Sequence, residues 1–185
     1  MKTKKIAQLL FTALLIISCN TDNDPMQPGS EIIQLQVIGK GTALAQPKTF
    51  THPKTGEILE ADCYLMDLID ADTGDIIGTL QDCIVDNQIP SDGTITSRVI
   101  TLISVEGRGN IQAESTVFQE IRPPVQDLNF NTSFTPTENN VIYTSFEFEE
   151  MKGTVSLVGE VSYKDFGEGI LTFHNNFNIE LKKNH

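Results

Sequence analysis

Ala61-Asp-Cys-Tyr-Leu-Met-Asp-Leu-Ile-Asp-Ala-Asp-Thr-Gly74-Asp-Ile-Ile-Gly-Thr-Leu-Gln-Asp-Cys-Ile-Val85 holds two β-rich runs on either side of Asp72-Thr73-Gly74. Runs of this kind around a Gly-closed polar triplet read as an antiparallel hairpin. Asp72-Thr73-Gly74 fits a three-residue loop, a type I turn completed by glycine in the left-handed conformation. Ala71 then faces Asp75 and, counting back in register, Cys63 faces Cys83.

The same pattern continues outward. Glu31–Ile38 alternates, with Ile33, Leu35 and Val37 on one face and Gln34 and Gln36 on the other. Residues 39–60 contain Gly39, Gly41, Pro47, Pro53 and Gly56 and read as a long loop with one short strand at most. Further strands are expected over Thr94–Ser104, Asn110–Phe118, Val141–Glu149, Thr154–Lys164 and Ile170–Leu181, with 119–140 mostly loop. In the run ending at Glu149, alternation sets Phe146 and Phe148 against Glu147 and Glu149. No segment has helical periodicity, so an antiparallel sandwich or barrel is expected.

Cys63 and Cys83 are open to two readings. Facing positions permit a disulfide, which the compartment outside the cytoplasm allows. In this register, however, they form a hydrogen-bonded pair, the type whose side chains lie farther apart. Two small apolar residues in a strand wall is the alternative. The acidic string Asp67, Asp70, Asp72, Asp75 fails the calcium-loop pattern, because the position-6 glycine and position-12 acid are missing. His52, His174 and His185 lack metal-ligand spacing. No metal site or cofactor is expected, and no catalytic motif stands out.

Tyr64 to Val85, Gly107-Arg-Gly-Asn-Ile-Gln-Ala-Glu-Ser115 and the stretch from Leu157 to Phe173 together resemble the allene oxide cyclase and dirigent family. The resemblance implies an all-β fold, an antiparallel eight-stranded barrel with a central cavity, and often a homotrimer. It makes Cys83 a candidate cavity residue. The family's Gly-rich segment is missing, since the chain reads Thr135-Pro-Thr-Glu-Asn-Asn-Val-Ile-Tyr143 there. The first strand, Ile32–Ile38, also lacks the Glu/Asn pair that cyclases place in the cavity.

The chain opens with Lys2, Lys4 and Lys5, an apolar run from Ile6 to Ile17, then Ser18 and Cys19. The run is too short to span a bilayer, which takes ~20 residues. A small residue directly before cysteine resembles a bacterial lipoprotein signal, so Cys19 is the expected lipidation site. Residues 1–18 are then the signal peptide, 19–30 a lipidated flexible tether and 31–185 a single domain. The acidic tether resembles lipoproteins carried to the cell surface in Bacteroidetes-type bacteria. A lipid-anchored place at the outer membrane or cell surface follows, with the membrane as partner through acyl chains.

The chain has 13 Lys+Arg and 25 Asp+Glu; losing the three signal lysines leaves 10 bases against 25 acids, a formal charge of −15. No basic patch remains, so nucleic acid is excluded as a partner. The expected function is binding of a small, largely apolar molecule inside the barrel. One alternative is an isomerase or cyclase that steers conformation in the cavity, with Asp67, Arg98, Cys83 and Tyr143 as polar guides. The other is a structural or adhesion lipoprotein.

Overall fold

A computed structural model describes residues 31–89 and 94–183. The described chain is all-β. Its strands are β1 (Glu31–Leu44), β2 (Gln46–Thr51), β3 (Ile58–Asp70), β4 (Ile76–Gln88), β5 (Ile95–Val105), β6 (Gly109–Ile121), β7 (Asn129–Phe134), β8 (Val141–Thr144), β9 (Lys152–Ser162) and β10 (Ile170–Lys183). They form one antiparallel ten-stranded sheet in the order β1-β10-β9-β7-β6-β5-β4-β3-β2, with β8 beside β6. Val37–Lys40 of β1 also pair with Asp70–Asp67 of β3, so the hydrogen bonding runs round in a ring.

Alternation along the ring strands, β2 excepted, sends one face inward. Val37, Met66, Leu80, Ile103, Ile111, Phe177 and their neighbours form one buried apolar cluster. The largest of these, Phe177, is 1% exposed, a burial that contributes roughly 1.5–3 kcal/mol. Gly39 and Gly41, read from sequence as loop signals, are strand positions on the inward face of β1. A Cβ on Gly39 would stand 3.1 Å from Phe177, 3.2 Å from Leu80 and 3.3 Å from Met66. Those three side chains occupy the space that the glycine leaves, so the centre of the ring is filled.

Other boundaries also move. The expected loop over 39–60 is the end of β1, the whole of β2 and a turn. Within 119–140, the strand β7 stands between β6 and β9. The expected strand to Glu149 stops at Thr144, because the chain turns left-handed at Phe146 (φ 54°). Phe146 is left outside, 79% exposed, while Phe148 is fully buried. Arg108 grips Glu147 with two hydrogen bonds of 2.9 and 2.6 Å and lies 5.3 Å over the Phe148 ring. Phe148 thereby plugs the end of the ring that carries the 71–75 and 106–108 turns.

At the hairpin, the loop has one more residue than expected. Asp70 N–H donates to the Asp75 carbonyl, and Ile69 pairs with Ile76. A bulge between Leu68 and Ile69 then restores the offset, so Cys63 does face Cys83. Gly74 is left-handed, as the turn requires (φ 78°). The Asp70 carboxylate accepts from the Thr73 and Asp72 amides, which hold it below the usual carboxylate range. This turn accounts for the acidic string.

β8 is too short to bridge β6 and β9 along its whole side, and Asn140 completes the join. Its amide donates to the Glu114 and Val155 carbonyls at 3.2 and 3.0 Å and accepts from Val155 N–H at 2.8 Å. The side chain thus stands in for a peptide unit of the missing ladder.

Candidate functional site

Two features outside the filled centre have the shape of a site. The first is the end of the ring opposite the Phe148 plug. Tyr64, Ile84, Val85, Tyr163, Phe166 and Leu171, with Asp62, Asp86 and Asn87 at the edge, line an opening of about 210 Å³. Tyr64 and Leu171 come from inward-facing strand positions, and Tyr163 and Phe166 from the turn between β9 and β10. The Tyr163 ring lies 5.0 Å from Phe130 and 5.5 Å from Phe166, and Tyr64 lies 5.5 Å from Phe173. Aromatic edges and faces at such spacings hold one another in place.

Two polar groups of this mouth are fixed. Tyr163 O–H donates to Gln119 Oε1 at 2.7 Å, and Ser97 O–H donates to Asn87 Oδ1 at 2.6 Å. Burial pushes the Tyr163 phenol up to about 12. Burial, and then the Asp62 charge, raises that of Tyr64. Both phenols are therefore neutral at physiological pH.

Asp82 faces Tyr64 across the hairpin and Thr101 on β5, and it is 5% exposed. Thr101 O–H donates to its carboxylate at 2.6 Å. Burial outweighs that bond and pushes the Asp82 carboxyl up to about 6. Sequence reasoning passed over this residue. The signal was present, because Asp82 lies two positions from Leu80 and from Ile84 on an alternating strand.

The second feature lies on the outside. β3 pairs with β4 only from Asp62 onward, and Ile58–Ala61 pair with β2 instead. This β2–β3 hairpin folds over the outer face of the ring. Leu59 and Ala61 pack on Cys63, Cys83 and Ile100, with Phe50, Val85 and Ile142 around them. The hairpin tip is held by charge-bearing groups. His52, 2% exposed, lies with Nε2 3.2 Å from Glu114 Oε2. Its Nδ1 accepts from the Lys54 and Thr55 amides, which leaves Nε2 to carry the proton and donate. Arg98 donates from Nε to Glu114 at 2.7 Å and from Nη2 to Glu57 at 3.2 Å. Lys54 Nζ donates to the Val141 carbonyl at 2.7 Å. Burial raises the Glu114 pKa, but the Arg98 bond and charge, with His52, more than offset it, and the net shift is downward. Between this tip and residues 134–140 a cleft of about 660 Å³ opens over β5 and β6.

The residues singled out from sequence do not converge. Arg98 lines the outer cleft. Asp67 lies exposed opposite Thr79, and Tyr143 on β8 is 44% exposed. Cys83 does not line the ring interior. It is bonded to Cys63 in the outer cluster, with α-carbons 3.9 Å apart. The physical reason is parity: Asp82 faces inward, so its neighbour Cys83 faces outward. The extra loop residue also changes the pair type. Counting from the hydrogen-bonded Asp70–Asp75 pair, Cys63 falls on an odd step, which is the closer, non-hydrogen-bonded kind. Cys19 and His185 lie outside the described residues, as do the signal and tether over 1–30.

Comparisons with protein-family models, curated proteins and solved structures find no match to this chain.

Proposed function

We propose that the protein is a lipid-anchored bacterial envelope protein, at the outer membrane or cell surface, which binds a small, largely apolar molecule. On this reading the strand ring is an eight-stranded barrel of the allene oxide cyclase/dirigent-like type. The ligand sits in its aromatic mouth rather than deep inside it, because Met66, Leu80 and Phe177 fill the centre. The observation that carries the reading is the 210 Å³ opening walled by Tyr64, Ile84, Tyr163, Phe166 and Leu171. The mouths of β-barrels are common ligand sites; this one is small, with Asp62, Asp86 and Asn87 giving its aromatic wall a polar rim. Cys19 supplies the anchor.

The test uses 1-aminoanthracene, a small apolar fluorophore, with the detergent-solubilised full chain. Saturable one-to-one binding is expected, abolished by Ile84→Trp, which fills the mouth, and retained by Cys19→Ser. Absence of saturable binding, or binding that survives Ile84→Trp in a folded protein, would sink the reading. Palmitate labelling lost in Cys19→Ser tests the anchor.

A second reading, an isomerase or cyclase acting by conformational steering, draws on Asp82. An inward carboxyl next to Tyr64 that exchanges its proton near pH 6 is suited to acid–base work. Asp82→Asn would then abolish turnover while leaving probe binding intact.

A further inference from the structure

We infer that the outer cleft is a separate binding site, for a neutral, hydroxyl-rich ligand such as the end of an oligosaccharide. Its size, about 660 Å³, falls in the range of small-molecule sites. Its floor is preorganised, since His52, Glu114, Arg98 and Glu57 satisfy one another and Lys54 is spent on the Val141 carbonyl. These contacts hold the hairpin tip, so one wall of the cleft is built by them.

The remaining lining decides the ligand class. Thr96 and Thr116 project from the outer faces of β5 and β6, next to Arg98 and Glu114 in register. Thr135 and Thr137 face them from the loop before β8. Each hydroxyl can donate one hydrogen bond and accept two, and these four have no side-chain partner among the described residues. The acids Asp86 and Glu138 also line the cleft without an ion-pair partner among the described residues. A phosphate or carboxylate would meet those two charges while the local cations are already engaged. A sugar ring instead offers hydroxyls to the threonines and acids, and its C–H face to Phe134 or Ile142, both half-buried at the cleft wall. The site shares only Asp86 with the aromatic mouth, at that mouth's edge; the rest of the mouth's lining does not reach the cleft.

The experiment is a glycan array that presents neutral, sialylated and sulfated glycans to the detergent-solubilised full chain, followed by calorimetry with the best neutral glycan. Retention of neutral glycans over their anionic counterparts is expected. A Thr96→Val/Thr116→Val variant should lose at least ~10-fold in affinity with an unchanged melting temperature, since valine suits both outward strand positions. Ile84→Trp, at the mouth, should leave glycan binding unaltered. Retention of no neutral glycan, equal retention of sialylated or sulfated ones, or full binding by the double-valine variant overturns the proposal.

Discussion

Asp82→Asn isolates the electrostatic cost of one buried carboxyl in the ring. The carboxyl is buried and its one hydrogen-bond partner among the described residues is the Thr101 hydroxyl, so its pKa rises from 3.8 to about 6. A raised folded-state pKa means that the folded chain binds the proton more tightly than the unfolded chain. Its stabilising effect is complete below pH ~3.8, falls as pH rises, and is gone above ~6. At 1.36 kcal/mol per pKa unit the whole shift amounts to about 3 kcal/mol, of which about 2 kcal/mol is lost between pH 4 and 7.5, because the unfolded carboxyl is already more than half ionised at pH 4. Asparagine keeps the acceptor for Thr101 but cannot ionise. Urea unfolding at half-unit steps from pH 4 to 8 gives the stability of both proteins. Their difference cancels every other titrating group. It should grow by about 2 kcal/mol in favour of Asp82→Asn across that window, whatever its offset at pH 4. The offset itself reflects the new amide N–H groups and any partner they lack. A difference that stays flat, or grows in favour of wild type, refutes the reasoning. The first outcome means that the carboxyl is solvated or compensated. The second means that its charge is held by a cation.

Three further outcomes test the frame. Reducing Cys63–Cys83 opens a cross-link of sequence separation 20 and should cost about 3 kcal/mol, read as a lower urea midpoint with dithiothreitol than without it. Asn140→Ala leaves the Val155 N–H and carbonyl unpaired and should cost about 2 kcal/mol, lowering Tm by about 4–8 °C in calorimetry. Gly78→Ala would set a Cβ 1.9 Å from the Ser104 carbonyl oxygen and force β4 off β5. It should lower stability by more than ~3 kcal/mol in the same calorimetry, whereas Gly167→Ala, with open space around it, should change little.

The sequence carried the strand pattern because alternation is local, and β1 from Ile33 to Val37 reads as it packs. The facing of Cys63 and Cys83 was also legible, but through two compensating features. The loop holds one residue more than Asp72-Thr73-Gly74 suggests, and the bulge at Leu68/Ile69 adds it back. Glycine misled at Gly39 and Gly41, where it marks space for Phe177 and Met66 instead of a turn. That distinction depends on distant strands, Phe177 for Gly39 and Met66 for Gly41. The outer cleft was hidden for the same reason. His52 and Glu114 are 62 residues apart, and no local pattern marks the β2–β3 hairpin as folding outward. Asp82 was the avoidable omission, since strand parity alone puts it beside Leu80 and Ile84.

The disulfide separates the strand ring from the outer hairpin that walls the proposed cleft. Cys63 and Cys83 lie one residue from Asp62–Ile84, the last pair before β3 leaves β4 for the outer hairpin. The bond therefore clamps the ring at the point where the hairpin departs. Beyond it, the hairpin rests on a small apolar cluster and a few polar contacts at its tip. Such contacts contribute ~1 kcal/mol each, or somewhat more when charged. The ring, by contrast, is held by continuous ladders and one large core. Local opening is cheapest where buried contacts are few. The tip over 52–57 should therefore lift before any ring strand parts, and hydrogen exchange should report this as faster exchange at Gly56 than at Tyr64, whose amide faces β4. Lifting the tip removes a wall of the cleft and leaves the aromatic mouth untouched. Destabilising the tip with Lys54→Ala, which removes its bond to Val141, should thus weaken binding in the cleft and leave 1-aminoanthracene affinity at the mouth unchanged.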